Sequence, residues 1–376
     1  MRIILFSGRG GSGVSTLAAA TAVATARAGR RTLAFSLGSG LGPALDKHVS
    51  AAVEAVGENL DVSQGAAEDD EFREWLADLL DFRNMDPELA DDFSSLPGIN
   101  HIGRLLDLQA LVASDRYDVV VLDGTPLEMF LDLPAALESA ARWLERLFAP
   151  RPQSVFEPFV RAFAADYANA GEEVFDTGRE ILTRLANLRN LLTDHETASV
   201  RLVMGPDDSA PALLQEASGV FSLFGYLKDA VIVTRLLPDA VTDPFFAPTH
   251  KREAGVLEQI RASTGAEILT SALRAEPPTG EEQLLDVARE VYGDADPAGF
   301  LTSGEPHEFS REGSNFVLQV VVPFASREEL TLEQADDGII VQLNGRRRFF
   351  PLPDDVGRRE ASTWSHDGRV LRVIIE

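Results

Sequence analysis

Apolar and polar residues recur with two different periods along this chain, and the change of period divides it in two. Over residues 1–37 a short apolar run, Arg2–Phe6, is followed by a glycine loop and an alanine-rich helical segment, Ser15–Ala28. Gly29 ends that helix, and Thr32–Ser36 has the pattern of a second buried strand. Strand, helix and strand in this order predict a βαβ unit, and so an α/β fold whose parallel sheet carries helices on both faces.

Three further apolar runs have the length and composition of buried strands: residues 117–123, 200–204 and 230–234. Two helical stretches separate them, one over about residues 66–113 and one over about residues 134–196. We therefore expect one doubly wound, mainly parallel sheet with helical insertions over residues 1–296. Aromatic residues at helical spacing in the second stretch form either a core or a ligand surface: Phe156, Phe159, Phe163, Tyr167 and Phe175.

After residue 296 the pattern changes to short strands and turns. Residues 297–306 are polar, contain proline and glycine, and are predicted to be a linker. Beyond them, apolar runs such as Phe316–Val322 and Val370–Ile375 alternate with turn signals such as Asn344-Gly345. This pattern predicts a small antiparallel β-sandwich over residues 307–376.

Composition and charge exclude several function classes. None of the 376 residues is cysteine, which excludes disulfides, thiolate zinc sites and a cysteine nucleophile. The formal net charge of −26 argues against nucleic acid or an anionic membrane surface as a partner, because both demand a basic face. No apolar run approaches the ~18 residues of a membrane span, and the N-terminus has the pattern of a strand rather than of a signal peptide. We therefore expect a cytoplasmic protein with no integral membrane segment.

The glycine loop carries the candidate chemistry. Gly8-Arg9-Gly10-Gly11-Ser12-Gly13-Val14-Ser15-Thr16 matches the P-loop pattern G-x-x-x-x-G-K-[ST] except at the lysine, where Val14 stands. Glycines allow successive amides to point at phosphate oxygens, and the Ser15 hydroxyl is of the type that ligates magnesium. A lysine would neutralise the terminal phosphates, which valine cannot do. The alternative interpretation is a tight turn without a ligand.

The loop resembles Gly-Lys-Gly-Gly-Val-Gly-Lys-Thr-Thr of the arsenical pump-driving and tail-anchored-protein-targeting ATPase family. Arg9 falls on that family's additional lysine, which reaches across a dimer interface to the partner's nucleotide, and Val14 falls on the ordinary P-loop lysine. Three later stretches match in order. They resemble the switch II segment, the strand whose Asn reads adenine (here Thr234), and the loop lying against the base: Asp123-Gly124-Thr125-Pro126, Val231–Pro238 and Leu273–Gly280.

This resemblance implies a homodimer that binds ATP or ADP with magnesium; without cysteine it implies no zinc. The magnesium candidates are Ser15 and Asp123. Arg9 either contacts phosphate or is an exposed loop arginine. The nucleotide-binding candidates are Gly8, Arg9, Gly10, Gly11, Ser12, Gly13, Val14, Ser15, Thr16 and Thr234.

The sequence departs from the family at positions that carry its chemistry. Gly38 stands where the family has the switch I aspartate that positions the attacking water, so no catalytic residue is assigned. Leu127-Glu128-Met129-Phe130 replaces the Thr-Gly-His-Thr that follows switch II. The tail, Glu308–Glu376, resembles the α-crystallin domain of small heat-shock proteins, through Val322-Pro323 and Phe350-Pro351-Leu352-Pro353.

Two functions remain open at this point. One is an active ATPase that drives an anion (arsenite) pump or membrane-protein targeting. The other is a nucleotide-binding protein with impaired hydrolysis and a chaperone-like or targeting role on a protein client. The second is favoured because several catalytic positions are replaced together, and each lost electrostatic contact typically lowers the rate by ~10²–10³. The chain also has no cysteine to bind arsenite.

Overall fold

The computed structural model of this chain describes residues 1–50, 53–65, 70–82, 86–88, 90, 100–124, 127, 165–304, 306–313, 315–323, 325–335, 338–352 and 361–375. The strands of its large sheet are β1 Arg2–Gly8, β2 Thr32–Ser36, β3 Glu54–Gly57, β4 Leu60–Ser63, β5 Val119–Asp123, β6 Ala198–Met204, β7 Lys228–Leu236 and β8 Glu267–Ala272. The helices around that sheet are α1 Val14–Arg27, α2 Leu41–Leu45, α3 Asp70–Phe82, α4 Asn100–Ala113, α5 Ala165–Leu192, α6 Ala210–Phe224, α7 Ala247–Ala262 and α8 Gly280–Tyr292. The C-terminal strands are β9 His307–Glu312, β10 Asn315–Val321, β11 Leu330–Ala335, β12 Gly338–Leu343, β13 Arg346–Pro351, β14 Ala361–His366 and β15 Val370–Ile375.

The large sheet has the strand order β3-β4-β2-β5-β1-β6-β7-β8. Every neighbouring pair is parallel except β3 with β4. β1 lies in the middle, between β5 and β6, so the loop that follows it emerges at the centre of the carboxyl edge. In open α/β sheets this central position at the carboxyl ends of the strands is where ligands bind.

Successive residues of β1 pack into two different cores, as the alternation of a strand requires. Ile3 and Leu5 belong to the core that contains buried residues of helices α3 to α7. Ile4 and Phe6 belong to the core on the other face, with buried residues of α1, α2 and α8. Because both faces are covered, the central strands are mostly apolar, and the expectation of a doubly wound, mainly parallel sheet is confirmed.

The C-terminal strands form two antiparallel sheets in the described part of the chain, with the orders β14-β15-β10-β9 and β11-β12-β13. This confirms the predicted antiparallel sandwich. The sandwich packs on helix α6, and its core is continuous with that of the large sheet. Gly219 allows α6 to pack closely against the sandwich, because a Cβ at this position would lie only 3.0 Å from the Leu343 side chain. Arg348 of β13 donates to the Leu223 carbonyl at the end of α6, at 2.7 Å.

A buried arginine network (Arg2, Arg201, Asp229 and Tyr292) ties the segment after α8 to the large sheet. The Arg201 guanidinium is fully buried and donates to the carbonyls of Pro297 at 2.6 Å and Gly299 at 2.7 Å. Arg201 also donates to the Tyr292 hydroxyl at 3.1 Å, and Asp229 accepts from both arginines. Burial lowers the pKa of Arg2 to about 10, while the charge of Asp229 opposes that shift.

Some sequence-based predictions lie outside the described residues. They include Thr125 and Pro126 of the switch II match, the segment 128–130, and the first part of the second helical stretch. The side chains of the aromatic series are also outside: Phe156, Phe159, Phe163, Tyr167 and Phe175. No helix among the residues that the structure describes is long and apolar enough to cross a membrane.

Candidate functional site

The phosphate loop (residues 8–15) leaves β1 at Gly8, in a position that only glycine can occupy. A Cβ on Gly8 would lie 2.1 Å from the Val203 carbonyl oxygen of the neighbouring strand β6. The same Cβ would lie 2.9 Å from a methyl carbon of Val14. The loop can therefore curl back closely over the end of the sheet because Gly8 has no side chain.

The amide groups of this loop are arranged as an anion cradle. Gly11 and Gly13 have positive φ angles of 78° and 90°, which let the chain turn twice within three residues. The Ser12 amide donates to the Arg9 carbonyl at 3.0 Å. In the described part of the chain no acceptor lies on the amides of Gly10, Gly11, Gly13 and the first three residues of α1. Unpaired amides at a helix N-terminus, with the helix dipole behind them, fit phosphate oxygens.

Thr234, near the end of β7, is hydrogen-bonded to the phosphate loop. Its hydroxyl donates to the Ser12 carbonyl at 2.6 Å, and only 5% of the residue is exposed. Ser12 is itself buried and donates to the Val203 carbonyl at 3.2 Å. The hydroxyl hydrogen of Thr234 is thus used inside the loop, which leaves its oxygen as an acceptor toward the groove.

Val14, at the lysine position, is a core residue. It is 3% exposed and packs in the same hydrophobic cluster as Leu17 and Val203. One of its methyl groups lies next to Gly8, 2.9 Å from where a Cβ of that residue would be. The loop therefore offers phosphate a set of amide dipoles but no cation at this position.

The predicted magnesium residues, Ser15 and Asp123, lie at the same place, but the switch I segment (residues 36–40) stands between them. A Cβ on Gly40 would lie 2.0 Å from the Ser15 hydroxyl oxygen and 3.4 Å from Asp123 Oδ2. Asp123 is fully buried and accepts a hydrogen bond from the Ser36 hydroxyl at 3.2 Å. Magnesium needs ligands at about 2.0–2.1 Å and usually keeps several waters. In this arrangement the two residues do not fit the ion, because the Gly40 backbone takes its space.

Gly38 lies in this segment without a side chain that could orient water. Its amide donates to the Ser36 hydroxyl at 3.2 Å. Arg104 of α4 brings a cation to this segment, since its Nη1 donates to the Leu37 carbonyl. Burial lowers the pKa of Arg104, and its Nε is buried without a hydrogen-bond partner. Sequence reasoning missed both Arg104 and Gly40, since nothing in the local pattern of α4 or of residues 36–40 shows that they meet.

An elongated groove of about 290 Å³ opens beside the loop. One wall is the loop with Leu17, and the other is the segment after β8, including Leu273, Pro277 and Pro278. Leu273 is 47% exposed. Arg274 also lines the groove, and its guanidinium pairs with Glu290 at 2.5 Å. The groove offers mostly apolar contacts for a flat ring.

Arg9 is exposed on the open side of the loop and reaches helix α6. Its Nη1 donates to the Ser209 hydroxyl at 2.7 Å. Ser209 in turn donates to the Asp207 carboxylate, both from its hydroxyl and, at 3.1 Å, from its amide. In the single chain Arg9 therefore has a partner of its own, one that a phosphate would have to displace.

A family model described as anion-transporting ATPase matches residues 1–293 of this chain. The chain belongs to the anion-transporting ATPase family. A second model, for the HSP20-like domain found in ArsA, matches residues 313–375. Both resemblances noted from the sequence, the ATPase family and the small heat-shock-like tail, are confirmed.

Three relatives align with this chain along nearly their whole length. A protein of Mycobacterium tuberculosis is 31% identical, over 93% of this chain and 90% of its own. A protein of Aquifex aeolicus with the provisional name of an arsenical pump-driving ATPase is 25% identical, over 94% of both chains. One of Chlorobaculum tepidum with the same provisional name is 24% identical, over 94% of this chain and 90% of its own. The two-part organisation is thus shared with these anion-transporting ATPase relatives.

Proposed function

We propose that this chain binds an adenine nucleotide at its phosphate loop with impaired hydrolysis, and acts as a chaperone-like or targeting protein on a protein client. The observation that carries the proposal is the position of Val14. It is buried in the core under the loop, so the site keeps its amide cradle and loses its cation. Binding needs the cradle, whereas transfer of the phosphoryl group needs the charge.

Two further losses act in the same direction. Phosphoryl transfer requires an oriented nucleophile and neutralisation of charge as the bond breaks. Gly38 has no carboxylate to orient water, and Gly40 occupies the place of the metal. Removing one electrostatic contact typically lowers a rate by ~10²–10³, so three absent contacts together leave very slow turnover.

The client part of the proposal rests on the sandwich. The HSP20-like match covers residues 313–375, and among the described strands β9, β11 and β14 are edges of their sheets. An unpaired strand edge can accept an extended segment of another protein as an additional strand. β13, the remaining edge, lies on the α6 side, where Arg346 pairs with Glu216 at 3.3 Å. This support is independent of the nucleotide site.

An active ATPase that drives an anion pump or membrane-protein targeting is the second candidate. The provisional names of the relatives from Aquifex aeolicus and Chlorobaculum tepidum favour it. The full sequence contains no cysteine, the residue with which arsenite would combine, so the arsenite version has no evident ligand here. We therefore place protein handling before anion transport.

The test is a turnover assay on the purified full chain, combined with an aggregation assay. We expect ATP hydrolysis far below the typical enzyme value of ~10 s⁻¹ and suppression of aggregation of a chemically denatured test protein. The double variant Val14→Lys with Gly38→Asp should hydrolyse ATP faster than either single variant, since each restores one missing contact. Ordinary turnover in the unmodified protein would favour the second candidate. Sedimentation with and without ADP tests the homodimer that we propose with it.

A further inference from the structure

The switch I segment is packed onto the phosphate loop at the place of the metal. The Cβ that Gly40 lacks would stand 2.0 Å from the Ser15 hydroxyl oxygen, a distance typical of a magnesium–oxygen bond. The Cα of Gly40 lies one bond length behind that point. An ion on the side of Ser15 that faces Asp123 would therefore overlap the backbone of Gly40.

This segment is held by hydrogen bonds at Leu37 and by buried leucines on both sides of Gly40. The Leu37 amide donates to the Asp123 carbonyl at 3.0 Å, and the Leu37 carbonyl accepts from Arg104. Leu37 and Leu41, on the two sides of Gly40, are each 1% exposed. Withdrawal of the segment would expose both leucines and break these hydrogen bonds, so the closed arrangement is stable without a ligand.

We propose that this chain binds a nucleoside diphosphate free of metal, with the closed switch I segment in the place of magnesium. The inference rests on the nucleotide binding proposed above. The negative charge of the diphosphate is met by the unpaired amides of the loop and by the N-terminus of α1, as in other anion sites at helix ends. In the closed arrangement Asp123 accepts a hydrogen bond from the Ser36 hydroxyl at 3.2 Å.

The test is calorimetric titration of the full chain with ADP, once with magnesium and once with excess EDTA. We expect the two dissociation constants to agree within about twofold, which is less than 0.5 kcal/mol. Binding at least about tenfold tighter with magnesium would overturn this inference and leave the proposed function intact. No binding in either buffer would remove the proposed function and, with it, this inference.

Two variants separate the closed segment from an ordinary metal site. Ser15→Ala should change the affinity for ADP by the same factor in magnesium and in EDTA, because the hydroxyl holds no ion; a loss of about tenfold in magnesium alone would contradict the inference. Gly40→Ala forces the segment away from Ser15 and should make ADP binding respond to magnesium by about fivefold or more. The matched control is Gly255→Ala on α7, where an added Cβ meets nothing within 4 Å and no response is expected. If Gly40→Ala fails to fold, as judged by circular dichroism, the Ser15→Ala titration decides.

Discussion

Two polar regions of this molecule use their hydrogen-bonding groups in opposite ways. In the buried arginine network, the donors of Arg2 and Arg201 find carbonyls, a hydroxyl or the carboxylate of Asp229. In the phosphate loop, the amides of Gly10, Gly11 and the start of α1 have no acceptor among the described residues. Both regions lie on the same sheet, and strands β1 and β6 contribute to both.

The difference shows which polar groups serve the fold and which serve a ligand. A buried guanidinium must be paired, because desolvating an unpaired charge costs several kcal/mol. Loop amides at the surface are hydrated and remain available to bind an anion. The network therefore joins the large sheet to the segment 297–301, whereas the loop amides stay available to the nucleotide that we propose.

Breaking the network should have the largest effect. Asp229→Ala removes the carboxylate that lies between two buried guanidinium groups, and we expect the free energy of unfolding to fall by about 3–5 kcal/mol. Chemical denaturation measures it. The matched control is Asp176→Ala, whose partner Arg179 is 62% exposed and whose loss should matter by less than about 1 kcal/mol. Equal effects of the two substitutions would show that the network does not hold the segment 297–301 on the large sheet.

A pH titration sharpens the comparison at a third place, the contact between the sandwich and α6. His307 lies against Gly225 and Arg348, and its Nδ1 is buried without a partner. Burial, together with the charges of Arg348, His195 and Arg189, lowers its pKa from 6.5 to about 4. Between these two values the unfolded chain therefore binds more protons than the folded chain. We expect the free energy of unfolding to be highest above about pH 6.5 and to decrease as the pH falls towards about 4.

The size of that decline is about 2–3 kcal/mol, at about 1.4 kcal/mol for each pKa unit. His307→Gln should flatten the difference in unfolding free energy across this pH range. His250→Gln, a histidine that hydrogen-bonds Val241 on another surface, is the matched control and should follow the unmodified protein. A decline of the same size in His307→Gln would assign the pH dependence to other groups.

Restoring a charge to the phosphate loop tests the other side of the comparison. Val14→Lys should raise the affinity for ADP by about 1.5–3 kcal/mol, the value of a hydrogen bond to a charged group. Val14→Met, of similar length and without charge, should leave the affinity unchanged. Titration calorimetry measures both. If Met and Lys act alike, the packing under the loop, rather than its missing charge, governs affinity.

The smallest expected effect concerns Arg9. If it reaches the partner's phosphate in a dimer, Arg9→Ala should weaken ADP binding or ADP-dependent association by about 1.5–3 kcal/mol. If it only holds Ser209 of its own chain, the change should stay within about 0.5 kcal/mol. Ser209→Ala removes that internal partner and serves as the control. Equal affinity and equal sedimentation of Arg9→Ala and the unmodified protein would take Arg9 out of the site.

Several features of this protein followed from the sequence. The period of the apolar runs predicted the strands β1, β5 and β6 to within about two residues, because buried parallel strands are apolar on both faces. The ordered motifs pointed to the family and to the absence of the lysine at Val14. The predicted homodimer, client and nucleotide stay predictions.

Other features depended on contacts between residues far apart in the chain. Gly40 is near Ser15 and Asp123 only because β2, β1 and β5 are neighbours in the sheet, and a local pattern carries no information on such packing. The same holds for Arg104 on Leu37 and for Thr234 beneath Ser12. Local sequence determined which elements form and which charges the loop lacks. Only the tertiary structure decided that the backbone of Gly40 stands where a magnesium ion would lie. Long-range packing brings this backbone onto the side chains of Ser15 and Asp123.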